Sequence, residues 1–135
     1  MEFPSKILTR SYKNMAQVPT PEQVEAMMIE KMGELPESLN SAKAIDPRFL
    51  VEQAMSSKFS VQDENNPFDP KTSMLLALAV ALTKGSEECM REQTKMLKKM
   101  GVTKEELAYL VRIVKHSNSS SLMGNAKSIF DTFLS

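Results

Sequence analysis

Residues 86–93, SEECMREQ, hold the single cysteine of the chain, Cys89, three positions after Ser86 and four before Gln93. Cysteines at the first two of these places and a histidine at the third would form a thiol–disulfide redox site. Two sulfurs three residues apart at a helix start lie within disulfide reach, and a histidine one turn further on can move the proton. Only Cys89 has the required chemistry. Ser86 carries no sulfur, so an internal disulfide cannot form; its hydroxyl is expected to cap the helix by accepting from the Cys89 backbone N–H. Gln93 lies one turn on, on the same face, and can hydrogen-bond the thiol. An amide does not titrate near neutrality, however, and cannot take the thiol's proton.

Acting alone, Cys89 is pulled two ways. The free N–H groups of a first helical turn favour a thiolate, while the adjacent Glu87 and Glu88 oppose one. Cys89 also falls in line with Met96, Leu97 and Met100, an apolar stripe, and a packed, unreactive thiol is the expectation. The alternative is a single reactive thiol, oxidised to a sulfenic acid and restored by an external thiol partner. The lone histidine, His116, is expected at the C-terminal end of a helix, where the dipole favours a cation. One histidine and one cysteine fall short of the three or four ligands of a zinc site, so no metal is expected. No phosphate-cradling glycine loop and no Ser/His/Asp set can be drawn from the sequence, and no cofactor is expected.

The elements that would position these residues are helical. Apolar residues recur at helical spacing and nowhere alternate for long, which predicts an all-α fold. Thr20, Pro21 and Gln23 give a capping box and a first-turn proline for a helix with Val24, Met27, Met28 and Met32 inward, ended by Gly33 and Pro36. Pro36 opens a second helix with Leu39 and Ala42 inward. Asp46-Pro47 opens a third, with Phe49, Leu50 and Ala54 as its core face. SVQDENNPFD, residues 60–69, is dense in turn formers and separates two halves. Asp69-Pro70 starts a central helix that Gly85 stops. Its residues 74–82 are apolar all round and need cover on every side, part of it expected from a second subunit or, alternatively, all of it from its own chain wrapped around a central helix. Ser86 then opens the helix of Cys89, acidic first and basic last in accord with its dipole, up to Gly101. Thr103 and Glu106 form another capping box, for a helix that buries Leu107, Leu110, Val111 and Val114 and ends at His116. SSSLMGNAKSIFDTFL reads as a shorter final helix with Ile129, Phe130 and Phe133 inward.

A chain of 135 residues suits one domain, expected over residues 20–135, with residues 1–19 as an N-terminal arm. Lys and Arg number 17 against 17 Asp and Glu, so no electrostatic footprint argues for nucleic acid or an anionic membrane. A single cysteine excludes an internal disulfide framework and suits a reducing, cytoplasmic setting. MEFPSKILTRSYKNM lacks the apolar stretch of a signal peptide. Met74–Leu82 is far shorter than the ~20 residues that cross a bilayer. The methionines, 11 in all, are expected as adaptable core filler.

Residues 69–110 resemble the carboxymuconolactone decarboxylase/alkylhydroperoxidase D superfamily. The likeness is carried by DPKTSMLLALAVALTKGSEEC and KKMGVTKEEL, with a weaker likeness upstream in KMGELPESL and DPRFL. It implies a helical bundle built around a central helical hairpin and assembled into trimers or hexamers. Redox members of the family carry a glutamate, a CxxC pair and a histidine. By position these correspond to Met74, Ser86 with Cys89, and Gln93; only Cys89 matches. The decarboxylase branch uses a histidine where this chain has Gln93. The resemblance therefore implies a degenerate member, a non-catalytic or specialised homo-oligomer whose space between the Met74 and Cys89 helices binds a small apolar ligand or is simply filled core. The competing expectations are a peroxiredoxin-like single-cysteine peroxidase or thiol oxidoreductase using Cys89, and a lactone decarboxylase-like lyase.

Overall fold

The computed structural model describes residues 18–135; most of the arm expected over residues 1–19 lies outside the described residues. All regular structure among the described residues is helical. The chain divides into two compact units after Asn66, within the turn-rich stretch 60–69.

In the first unit the caps do what the sequence asks of them. Helix α1, Pro21–Met32, opens on a complete capping box. The Gln23 N–H donates to Thr20 Oγ1 at 3.2 Å, and the Thr20 N–H donates to Gln23 Oε1 at 2.9 Å. It closes at Gly33, whose φ of 86° is left-handed and open to glycine. Helix α2, Glu37–Ile45, follows Pro36, and α3, Arg48–Lys58, follows Pro47. Val24, Leu35 and Leu50 form the buried centre, with Met28, Leu39, Val51 and Ala54 packed around it. Phe49 and Met27, expected inward, are exposed. Val51 and Ala54 complete the α3 face around Leu50, and Phe49 lies beside that line rather than on it. Lys43 Nζ reaches Glu25 Oε1 at 2.7 Å, joining α2 to α1.

The second unit is built on α4, Pro70–Lys84, α5, Glu87–Lys99, and α6, Lys104–Asn125; α4 packs on both of the others. Asp69 caps α4, accepting from the Thr72 N–H at 2.9 Å and from Thr72 Oγ1 at 2.8 Å. Ser73, Leu78 and Ala81 are buried, but Leu76 and Val80, one turn apart, are 51% and 55% exposed. The unit thus covers one side of the all-apolar helix and leaves the other open. At the opposite corner Lys71 Nζ donates to Glu106 Oε1 at 2.7 Å, while Glu106 also completes the capping box of α6 with Thr103.

The Lys71 ammonium, and after it the Thr103 N–H, hold the Glu106 carboxyl below the usual carboxylate range. A depressed folded-state value stabilises the fold above the unfolded-state pKa and is lost as the pH falls through the folded one. Glu106→Gln keeps an acceptor for the box and loses the ion pair. The variant should be less stable than the parent at neutral pH, and the gap should close in acid. Urea unfolding of both proteins across a pH series measures it.

Beyond residue 114 the structure departs from expectation. Helix α6 does not end at His116 but continues to Asn125, and α7, Lys127–Leu134, follows after Ala126 alone. Ala126 keeps right-handed helical angles. Its N–H donates to the Leu122 carbonyl at 3.0 Å, and the Phe130 N–H donates to the Ala126 carbonyl at 3.1 Å. The two helices are therefore nearly one rod of about 45 Å. Serine and asparagine in SNSSS read as a stop, yet they only weaken a helix; a left-handed glycine or a proline is the stronger stop, and neither stands there. His116 thus sits in mid-helix, exposed, without the C-terminal role expected of it. Val111, Ile129, Phe130 and Phe133, expected inward, are exposed as well. Residues 116–125 are roughly 4–5 kcal/mol poorer than alanine in helix propensity.

Candidate functional site

The site positions lie on the α4–α5 hairpin. Met74, Leu78 and Ala81 recur at spacings of four and three, which sets them on one line of α4. Leu78 and Ala81 are buried and Met74 is half-buried. Met74 thus extends the apolar seam of α4 and offers no charge and no proton. Gly85, with φ of 72°, ends the helix in the left-handed region, and the Ser86 N–H donates back to the Ala81 carbonyl at 3.1 Å. The chain reverses there in two residues, which is how α5 comes to lie along α4.

Ser86 is the N-cap of α5 with extended backbone angles, and its carbonyl accepts from the Met90 N–H at 3.0 Å. Its hydroxyl, expected to accept from the Cys89 N–H, makes no capping bond. The first turn, Glu87-Glu88-Cys89, instead places two carboxylates against the exposed N–H groups, a charge arrangement that favours the helix start.

Cys89 is a free thiol and is exposed, contrary to the packed thiol expected from its stripe. The reason is angular. Met90, Gln93 and Leu97, at spacings of three and four, share the inward line of α5. Leu97 is fully buried, and Met90 and Gln93 are half-buried. Cys89 stands on the flank of that line, toward solvent.

Gln93 occupies the inward line one turn before Leu97. Its Oε1 is buried and meets no hydrogen-bond donor among the described residues, so the expected bond with the Cys89 thiol is not made. This feature was not read from the sequence. The signal for it was the apolar Met90 and Leu97 on either side, which drag the amide inward with them. An acceptor buried without a donor costs about 1–3 kcal/mol. Gln93→Leu, which keeps the bulk and removes the acceptor, should therefore raise stability by about 1–2 kcal/mol, read as a higher urea midpoint at unchanged slope.

Chemically the four positions are a thioether, a hydroxyl, an accessible thiol and an amide. None of Met74, Ser86 and Gln93 holds a charge at neutral pH or titrates there as a base for the thiol's proton. Among the described residues no three of His, Cys, Asp and Glu stand together as a metal site, and no helix is long and apolar enough to cross a membrane.

Residues 52–116 match the carboxymuconolactone decarboxylase family. No curated protein matches the chain. All four site positions fall inside the matched stretch, on the helical hairpin that the resemblance implied. These residues, just under half of the chain, are similar to the carboxymuconolactone decarboxylase family.

Proposed function

We propose that this chain is a non-catalytic, ligand-binding homo-oligomer of the carboxymuconolactone decarboxylase family, with the redox site of its relatives largely dismantled. The observation that carries the reading is Gln93, whose buried Oε1 has no donor, on an inward line otherwise made of Met90 and Leu97. An apolar seam of Met90 and Leu97 with one buried acceptor suits a small, mostly apolar molecule that brings one hydrogen-bond donor, such as an alcohol or a phenol. The same residues leave a thiol–disulfide cycle without its second sulfur and its base. Decarboxylation lacks the histidine that the resemblance requires at Gln93.

The test has two arms. Purified protein should consume no peroxide with a dithiol as reductant. Phenols and medium-chain alcohols should raise its melting temperature, and Gln93→Leu should abolish that rise. Brisk dithiol-dependent turnover by the unaided chain defeats the reading.

One observation favours a second reading. The exposure of Cys89 leaves its sulfur open to an external thiol. Peroxide oxidises the thiolate to a sulfenic acid, and an incoming thiol condenses with it to a mixed disulfide and water; a second thiol then restores Cys89. Peroxide consumption that needs an external thiol and disappears in Cys89→Ser supports this reading, and consumption unchanged in Cys89→Ser refutes it.

A further inference from the structure

We infer that the rod formed by the second half of α6 and by α7 is a self-association surface, covered in solution by a second copy of this chain. From Lys115 to Ser135 every residue is exposed except the half-buried Ala126. The apolar residues there are Leu122 at 71%, Met123 at 66%, Ile129 at 68%, Phe130 at 51%, Phe133 at 88% and Leu134 at 80% exposure. At roughly 150–200 Å² per whole residue of this size, they present on the order of 700–800 Å² of apolar surface. That exceeds the ~300–600 Å² of the largest patch on an ordinary monomer and equals the ~800 Å² that one partner gives to a stable interface.

The pattern selects the occupant. Leu122, Ala126, Ile129 and Phe133 are spaced four, three and four apart, the seam by which one helix meets another. Residues 117–126 carry no charge, and Lys127 is paired with Asp131 one turn on. The seam can therefore meet its own copy without like charges opposing one another. A helix lying on an anionic membrane carries lysines and arginines along its polar face, and this one has only Lys115 at its start and the paired Lys127. The weak helix formers of 116–125 add a further argument, because such a segment holds its helix through packing rather than propensity. The rod also lies beyond the stretch that matches the family, which ends at residue 116.

The inference rests on the homo-oligomer reading above and names its surface. Light scattering and sedimentation of the full chain, with reductant present so that Cys89 forms no disulfide, should show a species that gains mass from low to high micromolar concentration. Ile129→Asp/Phe133→Asp should weaken that association at least about thirtyfold, as loss of central anchors does. Its melting temperature is measured alongside. Amide exchange on the unaltered chain gives an independent reading, with protection over residues 117–134 that grows with concentration. A variant that stays oligomeric, or protection that ignores concentration, overturns the surface alone. A parent chain that is monomeric throughout overturns both the surface and the oligomer. Binding of that monomer to phosphatidylcholine–phosphatidylserine vesicles would assign the face to lipid instead.

Discussion

Truncating Leu97 to alanine should cost about 3–4 kcal/mol of stability and lower the melting temperature by about 10–15 °C. Leu97 is fully buried, the only side chain of α5 with that distinction, and α5 is otherwise a strongly charged helix. What holds α5 against α4 is therefore the narrow inward line of Met90, Gln93 and Leu97, with Leu78 and Ala81 among the buried residues of α4. Alanine at 97 removes three carbons from the one fully buried side chain of that line and leaves a void, because the two helices are tied at the Gly85–Ser86 reversal and cannot close on it freely. Leu76→Ala is the comparison. Leu76 is about half exposed within its own unit, so the unit alone accounts for no more than about 1 kcal/mol at that position. A cost for Leu76→Ala close to that of Leu97→Ala would mean that another surface covers α4 in solution. Thermal and urea unfolding of the three proteins at several concentrations separate these cases, since cover from a second copy makes the cost depend on concentration.

The expectations that held were those set by short-range chemistry. Thr20 with Gln23, Asp69 with Thr72, and Thr103 with Glu106 each bring donor and acceptor together within three residues, so the start of α1, α4 and α6 could be read from the letters alone. The glycine stops at 33 and 85 were equally local. The expectations that failed depended on what lies across from a residue. Phe49, Phe130 and Phe133 are large and apolar, and composition alone sends them inward. Whether they are covered depends on partners that no local pattern names, and α6 is the one helix against which α7 makes more than a slight contact. The helix end at His116 failed for a related reason, since serines lower propensity without forbidding the conformation.

The site was legible in identity but not in disposition. The residue types alone showed that Ser86 and Gln93 could not replace a cysteine and a histidine. They did not show that Cys89 faces solvent, because the apolar stripe of α5 admits two lines about 40° apart and Leu97 belongs to both. Met90 and Gln93 win the inward one. Gln93 then carries its amide oxygen into the seam, an outcome that a polar residue type argues against and only the phase of the helix reveals.

A thiol–disulfide site should be installable at these positions, and the gain is the largest effect expected of any substitution in this chain. Ser86→Cys places a second sulfur at the N-cap, three residues from Cys89, where backbone separations of about 5–6 Å lie within disulfide range. The Ser86 hydroxyl makes no capping bond, so its replacement removes nothing from the helix start. Mild oxidation of this variant should close an intramolecular disulfide, with loss of two hydrogens and two electrons to the oxidant, seen as protection from alkylation that dithiothreitol reverses. Gln93→His then adds a group that titrates near neutrality one turn from Cys89, in place of the amide whose oxygen has no donor. The double variant should reduce peroxide to the alcohol and water at the expense of an added dithiol. Its rate should exceed that of the parent by about 10²-fold or more, the usual contribution of a positioned base. Met74→Glu should act differently. A carboxylate on the line of Leu78 and Ala81 is desolvated, so this change should lower stability even where it assists proton transfer. If Ser86→Cys remains a free dithiol after oxidation, the first turn of α5 does not align the two sulfurs. If the parent already matches the double variant, its thiol works without the partners that the family's cycle requires.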